Sequence, residues 1–253
     1  GIRITAGIAA APRARLAVVT PAHQSPLGVA LSLPRRLDLL AWAADANAWV
    51  IEDDYDGEFR YTGKPLPALK SLDSGGRVIY AGSFSKSVFP GLRLGYLVGP
   101  PGFIAEARAL RGLMLKHPPG HIQRTMAYFL GLGHYDALVN RMKGAYRRRR
   151  QVMEEAIAAE GLTVAGQGGF GGSSFWMQAP EGVDTEDLAL RLRGEGVLIE
   201  PGRAFFAGDG PRNYYRLAYS SIALPRIVEG VGRIARMLRQ AGDAIVAAVQ
   251  GNP

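Results

Sequence analysis

The sequence predicts an α/β fold, with a mostly parallel sheet flanked by helices and followed by a smaller α+β unit. Three observations carry that expectation. Short apolar runs bounded by turn residues recur at Leu16–Thr20, Trp49–Ile51 and Arg77–Ala81. A stretch with helical spacing separates the first two runs, as a crossover between parallel strands requires. After about Phe103 the texture changes to long helical segments interleaved with short strand candidates.

Taken in order, Leu16–Thr20 reads as a buried strand stopped by Pro21. Leu33–Ala46 reads as a helix, with Leu37, Leu39, Leu40, Ala43 and Ala44 at helical spacing. The Trp49–Ile51 strand ends in Glu52-Asp53-Asp54. The Arg77–Ala81 strand ends in Gly82-Ser83-Phe84-Ser85-Lys86, and Arg93–Val98 makes a fourth strand. Ile104–Lys116 is a predicted helix that stops before Pro118-Pro119-Gly120. Ile122–Leu132 and a long segment over Tyr135–Glu160 follow as helices. The remainder predicts strands at Leu162–Ala165, Ser174–Gln178, Val197–Glu200 and Tyr214–Tyr219. Helices at Asp187–Gly194 and Pro225–Gln250 lie among and after them. The expected domains are 1–134 and 135–253, the second beginning with the long helix.

Composition narrows the function. The 253 residues are 47% hydrophobic, enough for a core. There is no cysteine, which excludes disulfides, thiolate catalysis and cysteine-ligated metals. No run approaches the roughly 18 apolar residues of a membrane helix. The expectation is a soluble, cytoplasmic protein. Thirty basic against 22 acidic residues give +8, which suits nucleic acid, phosphate-bearing ligands or no charged partner at all. Gly1–Ala11 faintly resembles a secretory signal, but its apolar part is short and runs into Pro12, Arg13 and Arg15.

Several motif matches fail on context. Gly166–Gly171 fits G-x-G-x-x-G, but the strand-like Ser174–Gln178 follows where a dinucleotide site needs a helix. It reads as a loop or hairpin. Gly82 to Ser87 ends like a P-loop, yet Ser85 replaces the glycine before the lysine. Ser83-Phe84-Ser85-Lys86 fits S-x-x-K without the S-D-N and K-T-G partners. His117 and His121 are separated by Pro118-Pro119, so they read as loop histidines rather than a helical metal pair. Arg147–Arg150 reads as a solvated helix face, with Arg150 spaced to pair with Glu154.

Two strand ends remain, Asp53 with Tyr55 and Ser83 with Lys86, followed by Arg93. Functional groups gather at such ends in α/β sheets. Together they meet the needs of pyridoxal 5'-phosphate. Its aldehyde needs an amine, which Lys86 supplies. Its pyridine nitrogen needs an acid to stay protonated, and Asp53 fits. Tyr55 suits the phenolic oxygen. Ser83 and the fork of Arg93 suit the phosphate.

Val50 through Tyr61, with Asp53-Asp54-Tyr55-Asp56, and Ser83 through Tyr96 resemble fold-type I aminotransferases (class I/II, aspartate aminotransferase-like). They resemble most closely the aminotransferase-like domain of MocR-type regulators of the GntR superfamily. Thr20-Pro21-Ala22-His23-Gln24-Ser25-Pro26-Leu27-Gly28 and His117 to Gln123 also look like that pattern. The resemblance covers nearly the whole chain from about Leu16. It implies that Lys86 is the internal-aldimine lysine, 31 residues after Tyr55, with Asp53 on the ring nitrogen and Tyr55 on the phenolic oxygen. It implies that Ser83 and Arg93 hold the phosphate with Ser85 assisting, and that Arg216 binds a substrate α-carboxylate. Read without the resemblance, Arg216 is a surface strand arginine.

Two departures stand out. Ser25 occupies the place of the asparagine in the aminotransferase Asn-Pro loop. Nothing before Leu16 matches the family's glycine-rich phosphate loop, ring-stacking aromatic residue or winged-helix DNA-binding domain. The resemblance therefore implies a chain that starts partway through the large domain, and that dimerises as fold-type I proteins usually do. It implies a cofactor-binding effector domain that senses the cofactor or an amino compound and touches DNA only through another domain. The same residues equally suit a genuine aminotransferase acting on an amino acid and a keto acid. A third reading is an incomplete chain that binds cofactor poorly.

Overall fold

The computed structural model describes residues 1–61, 66–166 and 171–250. It divides into two compact units, 1–25 with 29–143 and 26–28 with 144–253, the main division falling inside a long helix. Residues 167–170 of the G-x-G-x-x-G match lie outside the described residues.

The first unit opens with helix α1 (Ile4–Ala10), where the sequence predicts no element. Ile4 explains it: its side chain is buried with Val19, Leu39, Ala43, Val50 and Val78, so a short run of small residues is held by one anchor. Next come β1 (Leu16–Val19), α2 (Leu33–Asp45), β2 (Trp49–Asp54), β3 (Val78–Ser83) and β4 (Gly95–Val98). The sheet order is β1-β2-β3-β4. The first three strands run parallel, and β4 closes the edge antiparallel. The predicted mostly parallel sheet is thus present. Pro34 starts α2, Leu39 and Ala43 form its buried face, and Asn47 at φ 48° turns the chain out. Helices α3 (Pro101–Met114) and α4 (Gly120–Gly131) follow, and α5 (His134–Ala159) passes into the second unit. His117 lies in the loop before α4, whereas His121 falls in that helix's first turn rather than in the loop.

The second unit holds β5 (Thr163–Val164), β6 (Ser174–Gln178), α6 (Thr185–Gly194), β7 (Glu200–Pro201), β8 (Tyr214–Ala218) and α7 (Leu224–Gln250). Its sheet is antiparallel, in the order β5-β6-β8-β7. Ile227, Val231, Ile234 and Leu238 form the buried stripe of α7. The strand expected at Val197–Glu200 forms only from Glu200. The reason is local: the Val197 N–H still bonds back to the Leu192 carbonyl at the end of α6, so the chain straightens three residues later. The arginine run is also not simply solvated. Arg150 is buried, donates to the Gly171 carbonyl at 2.8 Å, lies over the Phe175 ring and pairs with Glu154 as its spacing predicts. Among the described residues, no helix is long and apolar enough to cross a membrane.

Two buried charges organise the first unit. Arg36 donates to three carbonyls, those of Leu31 (2.8 Å), Pro67 (2.6 Å) and Pro21 (2.9 Å). Glu52, on β2, accepts the N–H groups of Leu69 at 2.7 Å and Lys70 at 2.8 Å. Burial pushes the Glu52 carboxyl above its ordinary value, and those two N–H groups oppose the shift. Glu52→Leu leaves both donors without partners. The expected loss is about 2–4 kcal/mol, read as a lower denaturant midpoint at unchanged slope.

Candidate functional site

The acidic cluster at the end of β2 separates by strand alternation. Glu52 is spent on backbone N–H groups. Asp54 accepts from the Gly57 N–H at 3.0 Å and from the Tyr80 hydroxyl at 2.7 Å. Asp53 points to the opposite face and has no hydrogen-bond or ion-pair partner among the described residues. Its carboxyl reaches solvent but is partly desolvated. That burial, followed by the nearby Asp54 and Asp56 carboxylates, holds it above the ordinary 3.8.

The register then brings a second group of residues to the same sheet end. Asp53 pairs with Ala81 and Asp54 with Gly82, so Ser83 continues just past the end of β2. Ser83 in turn pairs with Gly95, two residues after Arg93. The Phe84 N–H donates to the Leu94 carbonyl at 3.1 Å and extends that ladder by one bond. A side chain at residue 95 would break it, since a Cβ there would lie 2.7 Å from the Gly82 carbonyl oxygen.

The turn after β3 is anchored by two residues and presents the two between them. Phe84 is buried, with its ring 5.4 Å from Tyr96 and edge-on to Tyr135 at 5.8 Å. Ser87 is buried and bonds the Tyr135 hydroxyl at 3.0 Å, and that hydroxyl donates to Glu58 at 2.7 Å. Between these anchors the Ser85 N–H bonds the Ser83 hydroxyl at 3.2 Å, and Lys86 is exposed. Arg93 follows a single 3-10 turn, Pro90–Leu92, and adopts the left-handed conformation (φ 49°, ψ 36°) with an exposed side chain. Neither the Lys86 nor the Arg93 side chain has a bonded partner among the described residues. One sheet end therefore gathers an amine, a guanidinium, two serines and an acid, with polar capacity left for a ligand. No cluster of metal-ligating side chains occurs among the described residues.

Tyr55 is held by a contact that the sequence does not reveal. Its hydroxyl donates to the His23 carbonyl at 3.1 Å and lies 3.2 Å from His23 Nδ1. The same nitrogen is 3.2 Å from Asp56 Oδ2, and Asp56 is buried. His23 and Asp56 are thus site residues that sequence reasoning left without a role. Both stood within the quoted motifs, but their mutual contact spans 33 residues and carries no local spacing signal. His23 Nε2 is buried without a hydrogen-bond partner among the described residues.

Arg216 belongs to the second unit. It sits on β8 between Trp176 of β6 and Glu200 of β7, and Glu200 accepts its Nε–H at 2.5 Å. Glu200 is the other contact that sequence reasoning missed.

Comparison with known proteins fits this arrangement. The family model for aminotransferase class I and II matches residues 3–232. The chain belongs to that aminotransferase family. The HTH-type transcriptional regulator TauR of Rhodobacter capsulatus is 62% identical over 90% of this chain and 47% of its own length. The probable rhizopine catabolism regulatory protein MocR of Rhizobium meliloti is 32% identical over 88% of this chain and 45% of its own length. The chain thus spans about half the length of these curated relatives. Among solved structures, LysN, the alpha-aminoadipate aminotransferase of Thermus thermophilus complexed with N-(5'-phosphopyridoxyl)-L-leucine, superposes with a TM-score of 0.87 at 31% identity. It covers 95% of this chain and 63% of that one.

A carboxyl raised by its surroundings is a sensor of any cation placed beside it. The Asp53 side-chain carbon resonance should titrate above pH 3.8, and Asp54→Asn should move the midpoint down by removing the neighbouring negative charge that acts on it more strongly. A midpoint that Asp54→Asn leaves unmoved contradicts this account of the strand end.

Proposed function

We propose that this aminotransferase-family chain is the pyridoxal-phosphate-binding effector unit of a MocR-type transcriptional regulator. The observation that carries the reading is the set Asp53, Lys86 and Arg93, carried by one sheet end and the turns beside it, with no side-chain partner among the described residues. The regulator half of the reading is supported by the relatives named as HTH-type regulators, which match nearly all of this chain over about half of their own length. DNA contact then belongs to another part of the parent protein, and dimerisation follows the family habit.

The residues present fit the cofactor. Bound there, pyridoxal phosphate supplies an aldehyde for an amine and a ring that accepts electron density. Lys86 provides the amine. Asp53, with no ion-pair partner among the described residues, holds a proton on the ring nitrogen by charge. Tyr55 meets the phenolic oxygen once its hydroxyl turns from His23. Ser83, assisted by Ser85, and Arg93 take the phosphate, the serines by their hydroxyls and the arginine by its fork. Arg216 takes the carboxylate of an amino-compound ligand. An effector of this kind responds because ligand exchange changes which charges these side chains face.

A second reading, a working aminotransferase, is favoured by the likeness to solved transaminases. In it Lys86 also moves the α-proton, as general base and then acid. Purified protein mixed with pyridoxal phosphate should develop an absorption band near the visible that Lys86→Ala abolishes. A band that persists in the variant removes the lysine assignment. Adding an amino acid then separates the readings. A shift that stays put marks a sensor, and stoichiometric release of keto acid marks an enzyme.

A further inference from the structure

Arg216 and Glu200 face one another directly across β8 and β7. Glu200 Oε2 accepts from Arg216 Nε at 2.5 Å and also contacts Nη2. Those two nitrogens form one edge of the guanidinium fork, an edge with which arginine takes a carboxylate. The Phe205 ring lies 5.7 Å from the guanidinium carbon, and Trp176 stands opposite Arg216 on β6. The side chain is therefore walled by aromatic rings on a sheet face, with its charge met by one carboxylate. Side-chain exposures of 28% for Arg216 and 47% for Glu200 leave the pair open to a solute.

We infer that Glu200 determines ligand specificity by occupying the carboxylate seat on Arg216, so that an anionic ligand binds there only by displacing it. The inference rests on the proposal that Arg216 is the anion-binding arginine. Its physical content is competition. A tethered carboxylate on a neighbouring strand is always present, and a free carboxylate gains only the difference between the two contacts. Partly exposed ion pairs of this kind are modest, so displacement is easy, and removing the competitor should strengthen anion binding about 2- to 5-fold. Ligands bearing no anionic group feel none of this. Glu200 thereby sets a threshold that favours ligands with a strongly bonding anionic end.

The test uses the whole chain and does not depend on bound cofactor. Phenylglyoxal labels accessible arginines, and peptide mass spectrometry reads the rate at Arg216, with Arg212 (paired with Asp184) as the internal control. Propionate is the carboxylate probe. Glu200→Gln should speed labelling of Arg216 but not of Arg212. It should also lower the propionate concentration that half-protects Arg216 by about 2- to 5-fold. Glu200→Ala should do the same. Equal protection in native and variant proteins removes the role of Glu200 while leaving Arg216 an anion site. Weaker protection in the variants shows that Glu200 orients the arginine instead, and overturns the proposal. No protection in any of the proteins removes the Arg216 reading, and this inference with it.

Discussion

The first unit depends on how two buried charges are satisfied. Arg36 and Glu52 carry opposite signs, but each is bonded mainly by backbone, the arginine by carbonyls and the glutamate by N–H groups. Burial lowers the arginine pKa and raises that of the glutamate, so each is held against its own solvation preference. What they gain is position. Arg36 ties Pro21 and Leu31, the two ends of the loop that carries His23, and Glu52 ties the segment at Leu69 and Lys70. With both flanks fixed, the end of β2 has one geometry. Asp53 faces the other way from Glu52 and Asp54 and has no hydrogen-bond or ion-pair partner among the described residues.

Much of this was legible in the sequence, and what was not shares one cause. Apolar runs and helical spacing placed β1, β2, β3, α2 and α5, because each is defined by local periodicity. The strand ends at Asp53 and Ser83 were visible as places where apolar runs stop in polar residues. Contacts between distant residues were invisible. No spacing rule links His23 to Tyr55, Arg36 to Pro67 or Glu200 to Arg216, since each pairing is created by sheet register or loop return. Helix α1 was missed because its stability comes from one buried isoleucine rather than from an amphipathic pattern. The start of β7 was displaced because a bond back to α6 delays extension. Arg150 was read as solvated because a helical periodicity cannot reveal that Phe175 and Gly171 cover it.

The contrast between the two charged centres also bears on function. In the first unit, Glu52 and Asp54 are bonded while Asp53, Lys86 and Arg93 have no side-chain partner among the described residues. In the second, Arg216 is not left available, because Glu200 meets it across the strands. On the function proposed above, an anion at Arg216 has a carboxylate to displace, whereas a phosphate at Arg93 has none among the described residues.

Arg93 shows a tension between folding and binding. Its backbone lies in a region that glycine enters freely and that costs other residues on the order of 1 kcal/mol. By the logic of chain stability alone, a glycine would serve better after the Pro90–Leu92 turn. By the proposed role of Arg93 on a phosphate, glycine is useless there, since it brings no charge. A search for thermal robustness and a search for affinity would thus pull this one position in opposite directions. On the function proposed above, the turn is a place where a more stable molecule would be a poorer receptor.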